Sequence, residues 1–213
     1  MELLDIVVYI MTGVGVTISV TLIALPLGLV IGVLMALVRV YGGKVFSGLA
    51  GVYSTVMRGL PPIVLLFILY FMIAGSINIE PFWAGSISLA IISSSYQMEI
   101  FRGAVLSVGQ GQEMASRAIG MTRTQSIRYI ILPQALRLAI PPWSNEAATV
   151  VKDSSLVYAL GVAEVLRRAQ FVGARTFKPL MAFSIAALIY FGLVFLTSRG
   201  LAVLERKTRI PAF

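Results

Sequence analysis

The segment IVVYIMTGVGVTISVTLIALPLGLVIGVLMALV, at residues 6–38, contains no Asp, Glu, Lys or Arg. A membrane-spanning helix needs about 20 predominantly apolar residues, so this segment is long enough to cross a bilayer. Three more charge-free segments, at 59–79, 81–98 and 179–198, reach or approach the same length. The sequence therefore predicts an integral membrane protein built from several helices.

The composition of the whole chain agrees with that class. Of the 213 residues, 58% are hydrophobic and 12% are charged, and the mean hydropathy is +0.93. Soluble domains carry about 25% charged residues, roughly twice this share. Glu2 and Asp5 precede the first apolar segment, which lacks the basic flank of a signal peptide. We therefore expect this segment to remain in the mature protein.

The chain contains no cysteine and no histidine. These absences exclude a disulfide and a thiolate metal site, and they remove the commonest general base and zinc ligand. The sequence thus argues against enzymatic chemistry and predicts no metal site. The net charge is +8, but the basic residues lie at the ends of apolar segments rather than on one face. Residues placed in this way orient membrane helices, and we do not expect a nucleic-acid partner.

Five spans account for the apolar segments, and a single transmembrane domain over residues 1–213 is the simplest organisation. The second span is interrupted near Arg58-Gly59-Leu60-Pro61-Pro62, and prolines also punctuate the fourth. Membrane helices tolerate such interruptions where neighbouring helices support the backbone. A shorter surface helix is predicted at about 155–168. The predicted spans are about 9–38, 46–73, 83–106, 127–151 and 180–203.

Lysine and arginine collect after the first, third and fifth spans, which places those segments inside and predicts an external N-terminus and an internal C-terminus. Four basic residues between the fourth and fifth spans disagree, because they would lie outside. A surface helix that contacts another protein would explain them, and so would a span count that is wrong by one. The inside set is Arg39, Lys44, Arg117, Arg123, Arg128, Arg199, Arg206, Lys207 and Arg209; the outside set is Arg167, Arg168, Arg175 and Lys178.

The predicted inside loop at about 108–128 has the pattern of a short amphipathic helix. Its apolar residues recur at helical spacing, and Gly120 is placed to end the helix. Thr122 and Gln125 form a capping box that would start the next helix. The pattern alone also permits a helix that rests on lipid headgroups or simply connects two spans. The apolar residues of this face are Met114, Ala115, Ala118, Ile119 and Met121.

This loop resembles the cytoplasmic signature of ABC importer permeases, which reads Glu-Ala-Ala, three residues, Gly, nine residues, Ile-x-Leu-Pro. The corresponding frame here is Met114-Ala115-Ser116, then Gly120, then Ile130-Ile131-Leu132-Pro133, with the full spacing. Met114 departs from the family glutamate, while Glu113 stands one residue earlier. The departure puts a salt bridge from the usual glutamate in doubt but leaves the apolar face and the glycine in place.

The resemblance covers about residues 15–165 and narrows to the permease subunits of polar amino-acid ABC importers. Motifs typical of that group appear in order and at matching spacing. They are Thr17 to Thr21 with Pro26-Leu27-Gly28, Arg58-Gly59-Leu60-Pro61, Ser95 to Gly103, Leu132-Pro133-Gln134-Ala135, Pro141-Pro142 with Asn145, and Lys152-Asp153-Ser154-Ser155-Leu156.

Membership in this family implies an all-α, type I importer permease fold in a prokaryotic cytoplasmic membrane. It also implies two ATP-binding subunits, a second permease (an identical copy is favoured over a homologue), an extracytoplasmic binding protein and an amino-acid substrate. No G-x-x-x-x-G-K-[S/T] loop occurs in the sequence, so ATP and magnesium are expected on the partner and no cofactor on this chain. The residues expected to dock to the ATP-binding subunit are Glu113, Met114, Ala115, Arg117, Ala118, Ile119 and Gly120.

Ionisable residues at membrane depth and near helix breaks are candidates for the substrate pathway, because a zwitterionic amino acid offers both charges. Glu99 and Arg102 share a helix face, and they would equally form a plain ion pair at the cytoplasmic rim. Lys152 and Asp153 would equally form a turn that caps a helix. The full candidate set is Arg58, Gln97, Glu99, Arg102, Asn145, Glu146, Lys152 and Asp153.

Two other functional classes are compatible with a membrane protein. A channel or secondary transporter that works alone would need ion-coupling groups at mid-membrane and usually internal repeats, and the sequence displays neither. A membrane enzyme is disfavoured, because the sequence contains no histidine, no cysteine and no carboxylate pair in a recognisable motif.

Overall fold

The computed structural model describes residues 2–108 and 110–208, and every regular element within these ranges is helical, as the sequence predicts. Arg209, one of the basic residues expected inside, lies outside the described residues. A π-helical turn at Ile127–Ile131 and a 3₁₀ helix at Ser154–Leu160 accompany ten α-helices. These are α1 (Leu3–Met11), α2 (Val14–Tyr41), α3 (Lys44–Gly59), α4 (Pro62–Ile77), α5 (Pro81–Ser107), α6 (Gln110–Ala118), α7 (Arg123–Ser126), α8 (Leu132–Asp153), α9 (Val165–Thr176) and α10 (Pro179–Thr208).

Two helical stretches of the described chain are long and apolar enough to cross a membrane, Leu3–Tyr41 and Pro179–Thr208. Helices α3 and α4 add a third if their bent pair is counted as one span. Helices α5 and α8 are not among these stretches, since serine, glutamine and charged residues lower their apolar content. The five-span count and its orientation therefore stay predictions.

The predicted interruption of the second span is confirmed. The chain bends by 117° between helices α3 and α4. Leu60, which precedes two prolines, has an extended backbone, because the ring of a proline excludes the helical conformation from the residue before it. Pro62 is then the first residue of α4, a position where its missing N–H group costs nothing.

The fourth predicted span is more continuous than the sequence indicates. It begins at Arg123 rather than near 127, passes through the π-helical turn, and continues through Pro141 and Pro142 to Asp153. A proline removes one backbone hydrogen bond and crowds the carbonyl four residues earlier. The wider π-helical turn immediately before Pro133 accommodates that residue without breaking the helix.

Two other predicted boundaries are wrong. The first long helix begins at Val14, because a separate helix, α1, ends at Met11 and a turn follows. The surface helix predicted at 155–168 is instead the 3₁₀ helix Ser154–Leu160, followed by a turn and then α9. The physical reason lies at Glu164, whose carboxylate accepts backbone N–H groups of the first turn of α9 and so starts the helix there.

Helix α5 lies at the centre of the described bundle and packs against α2, α3, α4 and α8. Its contact with α2 is close, because Gly28 and Gly32 present no side chain towards α5. A Cβ atom at Gly32 would lie 2.9 Å from the carbonyl oxygen of Ser94 and 3.0 Å from the nitrogen of Met98. The two backbones are thus almost in contact, as is common for membrane helices that associate through small residues.

A buried carboxylate connects α9 to α10. Glu164 is fully buried, and its two oxygens accept the N–H groups of Leu166 at 2.8 Å and Arg167 at 2.7 Å and the hydroxyl of Tyr190 at 2.5 Å. Such a carboxylate is tolerated in the interior because its hydrogen-bonding capacity is largely satisfied.

We expect Glu164→Ala to lower the free energy of unfolding by about 1–3 kcal/mol, since it leaves buried N–H and O–H groups without their acceptor. Thermal unfolding of the purified protein in detergent measures the change. Glu80→Ala is the matched control, because Glu80 also precedes a helix but its side chain makes no capping hydrogen bond. Equal stability of the two variants would contradict the assigned role of Glu164.

Candidate functional site

The loop between α5 and α7 contains a helix, as predicted. Helix α6 extends from Gln110 to Ala118, and its residue Ser116 is buried. The hydroxyl of Ser116 lies 2.5 Å from that of Ser126 in α7, and it donates to the carbonyl oxygen of Glu113 at 2.8 Å. One polar residue therefore fixes α6 against the following helix and determines which face of α6 points away.

The face that points away from the protein is apolar. Met114 is 65% exposed and Ile119 is 77% exposed, and Ala115 and Ala118 are exposed between them. Met121, the fifth residue of the predicted face, is half-buried. Exposed apolar residues grouped in this way mark an interaction surface. The predicted amphipathic pattern is confirmed, and its apolar side stays exposed within the part of the chain that the structure describes.

The end of α6 is a tight glycine turn. Gly120 has φ of +84°, and its N–H group donates to the carbonyl oxygen of Arg117 at 2.9 Å. The N–H of Met121 donates to the carbonyl oxygen of Ser116 at 3.0 Å. This pair of bonds is the Schellman arrangement, which requires a left-handed residue at the position of Gly120. The stop predicted at Gly120 is confirmed.

The start of the next helix also follows the prediction. The hydroxyl of Thr122 accepts the N–H group of Gln125, and the side chain of Gln125 accepts the N–H group of Thr122 at 2.8 Å. These reciprocal bonds form a capping box. Only one residue, Met121, separates the glycine turn from this cap, so the loop has little freedom to change its direction.

One charged contact lies within α6, and another connects the loop to the end of α2. Glu113 and Arg117 form an ion pair of 2.8 Å on α6, and both side chains are partly exposed. The Arg123 guanidinium lies 5.4 Å from the centre of the Tyr41 ring, in the geometry of a cation–π contact. A cleft of about 210 Å³, lined by residues that include Tyr41, Glu113 and Arg123, lies beside α6.

The predicted pairing of Glu99 with Arg102 is confirmed. The Nε atom of Arg102 lies 2.8 Å from a carboxylate oxygen of Glu99, and the other oxygen accepts the hydroxyl of Ser54 on α3 at 3.0 Å. Arg58, in the last turn of α3, is exposed. The structure thus brings a carboxylate and a guanidinium together beside the α3–α4 bend.

Gln97 and Glu146 lie inside the chain instead of on its surface. Gln97 is fully buried, donates to the Leu25 carbonyl oxygen at 3.3 Å, and accepts the indole N–H of Trp143 at 2.8 Å. It also donates to the hydroxyl of Ser93, and Ser93 donates to Glu146 at 2.7 Å. The amide of Gln97 is therefore satisfied by α2, α5 and α8 in this conformation.

The remaining predicted residues lie in the C-terminal half of α8. Asn145 and Lys152 are exposed, and Asp153, the last residue of the helix, is partly buried. The side chain of Asp153 makes no capping hydrogen bond to the 3₁₀ helix that follows. The alternative of a side-chain cap at this turn is thus not the arrangement in the structure.

Residues 28–210 match the model of the family described as "Binding-protein-dependent transport system inner membrane component". The matched segment is most of the 213-residue chain. The chain belongs to this family.

Individual relatives of the permease are transport proteins. The glutamine transport system permease protein GlnP of Escherichia coli is 38% identical over 201 residues, with 93% of this chain and 92% of GlnP covered. The L-cystine transport system permease protein TcyB of Bacillus subtilis is 36% identical over 197 residues, with coverage of 92% and 84%.

The fold is shared with a solved transporter. A chain from a crystal structure of an amino acid ABC transporter with histidines has a TM-score of 0.87 at 32% identity, covering 97% of this chain and 99% of that chain. The family inferred from the sequence motifs is therefore confirmed, and so is the all-α permease fold.

Sequence reasoning overlooked three residues of the permease, Ser93 on α5 and Arg137 and Trp143 on α8. Trp143 and Ser93 complete the hydrogen-bond network around Gln97, and Arg137 is exposed on α8. Arg137 carried a signal in the sequence, because it is the one charged residue between Arg128 and Glu146 in a predicted span. An ionisable residue inside a span indicates function by default.

Proposed function

We propose that this permease is the transmembrane subunit of an ATP-driven importer for polar amino acids. It forms half of the translocation pathway in a prokaryotic cytoplasmic membrane and docks to a separate ATP-binding subunit. The observation that carries the proposal is the outward apolar face of α6, fixed by buried Ser116 and ended by Gly120. A small apolar helix held in one orientation suits a groove on another protein, and the ATPase is the partner that ABC permeases require.

The proposed topology has five spans, with α1 external and the end of α10 internal. The internal side then holds α6, Arg39 and Arg123, in agreement with the preference of lysine and arginine for that side. Basic helix α9 lies outside in this topology, where an extracytoplasmic binding protein would meet the permease. A second permease, favoured as an identical copy, completes the pathway.

The amino-acid substrate class is proposed from the relatives, whose names specify glutamine and L-cystine. The charged residues at the α3–α4 bend and on α8 fit a zwitterion in chemical terms, since carboxylates pair with its ammonium group and guanidinium or ammonium groups pair with its carboxylate. The candidates stay those of the sequence, of which Gln97 and Glu146 are buried and hydrogen-bonded in this conformation: Arg58, Gln97, Glu99, Arg102, Asn145, Glu146, Lys152 and Asp153.

Purification from native membranes tests the proposal. The tagged permease should retain a polypeptide that contains a phosphate-binding loop, and the complex should take up labelled glutamine, cystine or histidine into proteoliposomes only when ATP and magnesium reach the ATPase. Uptake by the permease alone, driven by an ion gradient without ATP, would establish a stand-alone transporter and overturn the proposal.

A further inference from the structure

Helix α8 exposes a polar stripe along most of its length. Residues at spacings of three and four fall on one helix face, and the side chains of this set are exposed or half-exposed. The opposite face, which includes Ala135, Ala139 and Ala147, is buried against the bundle. We define the α8 stripe as Gln134, Arg137, Pro141, Asn145, Ala148 and Lys152.

The charged groups of the stripe, Arg137 and Lys152, and the side-chain amide of Asn145 have no hydrogen-bond or ion-pair partner within the part of the chain that the structure describes. The amide of Gln134 differs, because it donates to the carbonyl oxygen of Ile130 at 2.9 Å. Both ion pairs of the described residues lie elsewhere, at Glu99–Arg102 and Glu113–Arg117. The carbonyl oxygen of Asn145 accepts the Thr149 hydroxyl, but its side-chain amide is unused. These groups therefore need water, a ligand or another chain to satisfy them.

The stripe lies at membrane depth. Trp143 of α8 donates to Gln97, and Gln97 donates to the carbonyl oxygen of Leu25, which lies near the middle of α2. Arg137 precedes Trp143 by six residues, which corresponds to about 9 Å along the helix. The hydrocarbon core extends roughly 15 Å on either side of the bilayer centre, so Arg137 and Asn145 fall within it.

The stripe does not suit a lipid-facing surface. Exposed residues of α2 at similar depth are apolar, such as Leu22, which is 66% exposed. An arginine or an asparagine that faces hydrocarbon is costly, and ionisable residues of spanning helices almost always face the bundle interior or a water-filled cavity. The contrast between Leu22 and Asn145 indicates which surface meets lipid and which meets water.

We propose that the α8 stripe lines the water-filled translocation pathway and that Arg137 binds the carboxylate of the amino acid in transit. The inference rests on the proposed function and adds a residue outside the sequence-based candidates. A guanidinium is suited to this role because it stays charged and presents parallel N–H groups to both carboxylate oxygens. The proline and alanine of the stripe leave space beside it, and Asn145 and Lys152 continue the polar surface towards the outer end of α8.

Cysteine accessibility tests the exposure of the stripe, and the chain offers a natural background because it contains no cysteine. Asn145→Cys and Ala148→Cys, each in the assembled transporter, should react with a charged methanethiosulfonate reagent at least tenfold faster than Leu22→Cys and the buried control Ala139→Cys. Measurements with and without ATP, from both sides of the membrane, sample both access states. Reaction at the Leu22→Cys rate in every state would overturn the inference.

Variants at Arg137 test its role. Arg137→Gln should reduce ATP-driven uptake of glutamine and histidine at least tenfold and raise the KM, and Arg137→Lys should restore part of the uptake. The wild-type complex should prefer each amino acid over its α-amide, and Arg137→Gln should lose that preference. If Arg137→Gln takes up substrate at the wild-type rate, or if its uptake is reduced but it still prefers the amino acid over the α-amide, Arg137 does not bind the carboxylate.

The proposed function and the assignment of Arg137 can be contradicted separately. If the wild-type complex imports no amino acid with ATP, the proposed function fails. If the wild-type complex imports amino acids and Arg137→Gln does the same, only the assignment of Arg137 fails.

Discussion

Ala118→Asp should reduce ATP-driven uptake at least tenfold while the spanning helices remain folded. Ala118 is exposed at the centre of the apolar face of α6, between Met114 and Ile119 along the surface. A carboxylate that is buried without a partner in the groove of another protein pays a large desolvation cost. A factor of ten in affinity needs only about 1.4 kcal/mol, which is less than that cost.

Thermal unfolding and a pull-down show whether Ala118→Asp prevents docking to the ATP-binding subunit or prevents folding. The Ala118→Asp permease should show the wild-type thermal unfolding in detergent, because Ala118 is exposed, and it should fail to retain the ATP-binding subunit in a pull-down. Gln112→Glu is the matched control, since it adds the same charge to α6 outside the apolar face and should keep more than half of the uptake. If Ala118→Asp assembles and imports like wild type, the docking surface lies elsewhere.

The parts of the fold that the sequence predicts well are those governed by local chemistry. Charge-free segments locate the long helices, because charged residues are costly in hydrocarbon. The bend at Leu60 to Pro62 and the turn at Gly120 follow from proline and glycine, whose backbone preferences act within a few residues. The capping box at Thr122 and Gln125 is similarly local.

The parts that the sequence predicts poorly depend on contacts between distant segments. Helix α9 begins at Val165 because the Glu164 carboxylate caps its first turn, and that buried carboxylate also accepts the hydroxyl of Tyr190, which is 26 residues away. The amide of Gln97 has the chemistry of a substrate ligand, yet in this structure it donates to the Leu25 carbonyl oxygen and accepts the indole N–H of Trp143. No local pattern distinguishes a glutamine that faces a pathway from one that joins three helices.

The candidate site also has one part that local sequence predicts and one part that depends on contacts between distant segments. Helical spacing alone predicted Met114, Ala115, Ala118 and Ile119 on the exposed apolar face of α6, whereas Met121, also predicted there, is half-buried. The α8 stripe could not be predicted from the sequence. Which face of a spanning helix is buried and which is exposed depends on the helices that pack against it. Asn145 and Lys152 were selected for their chemistry. Arg137 also carried a sequence signal as the one charged residue between Arg128 and Glu146, and the structure strengthens it by leaving the side chain exposed and outside both ion pairs of the described residues.

The close contact of α2 with α5 connects the fold to the proposed pathway. The Gln97 network fixes α8 to α5 and α2, so the direction of the α8 stripe depends on how near α5 lies to α2. That distance is set by Gly32, and to a lesser degree by Gly28, whose nearest neighbour is the flexible end of the Gln97 side chain. A change at Gly32 should therefore affect stability and the pathway together.

Gly32→Ala should lower the free energy of unfolding by about 1–3 kcal/mol and reduce uptake, because overpacking forces the helices apart. The added Cβ would lie 2.9 Å from the Ser94 carbonyl oxygen and 3.0 Å from the Met98 nitrogen, and backbone atoms cannot rotate away. Gly15→Ala, in the same helix, is the control: a Cβ there meets nothing within 4 Å, so alanine should be neutral or stabilise by up to about 1 kcal/mol. Thermal unfolding in detergent compares the stabilities of Gly32→Ala and Gly15→Ala. Equal melting temperatures would show that the two helices yield at Gly32, and the close contact would then not be what positions α8.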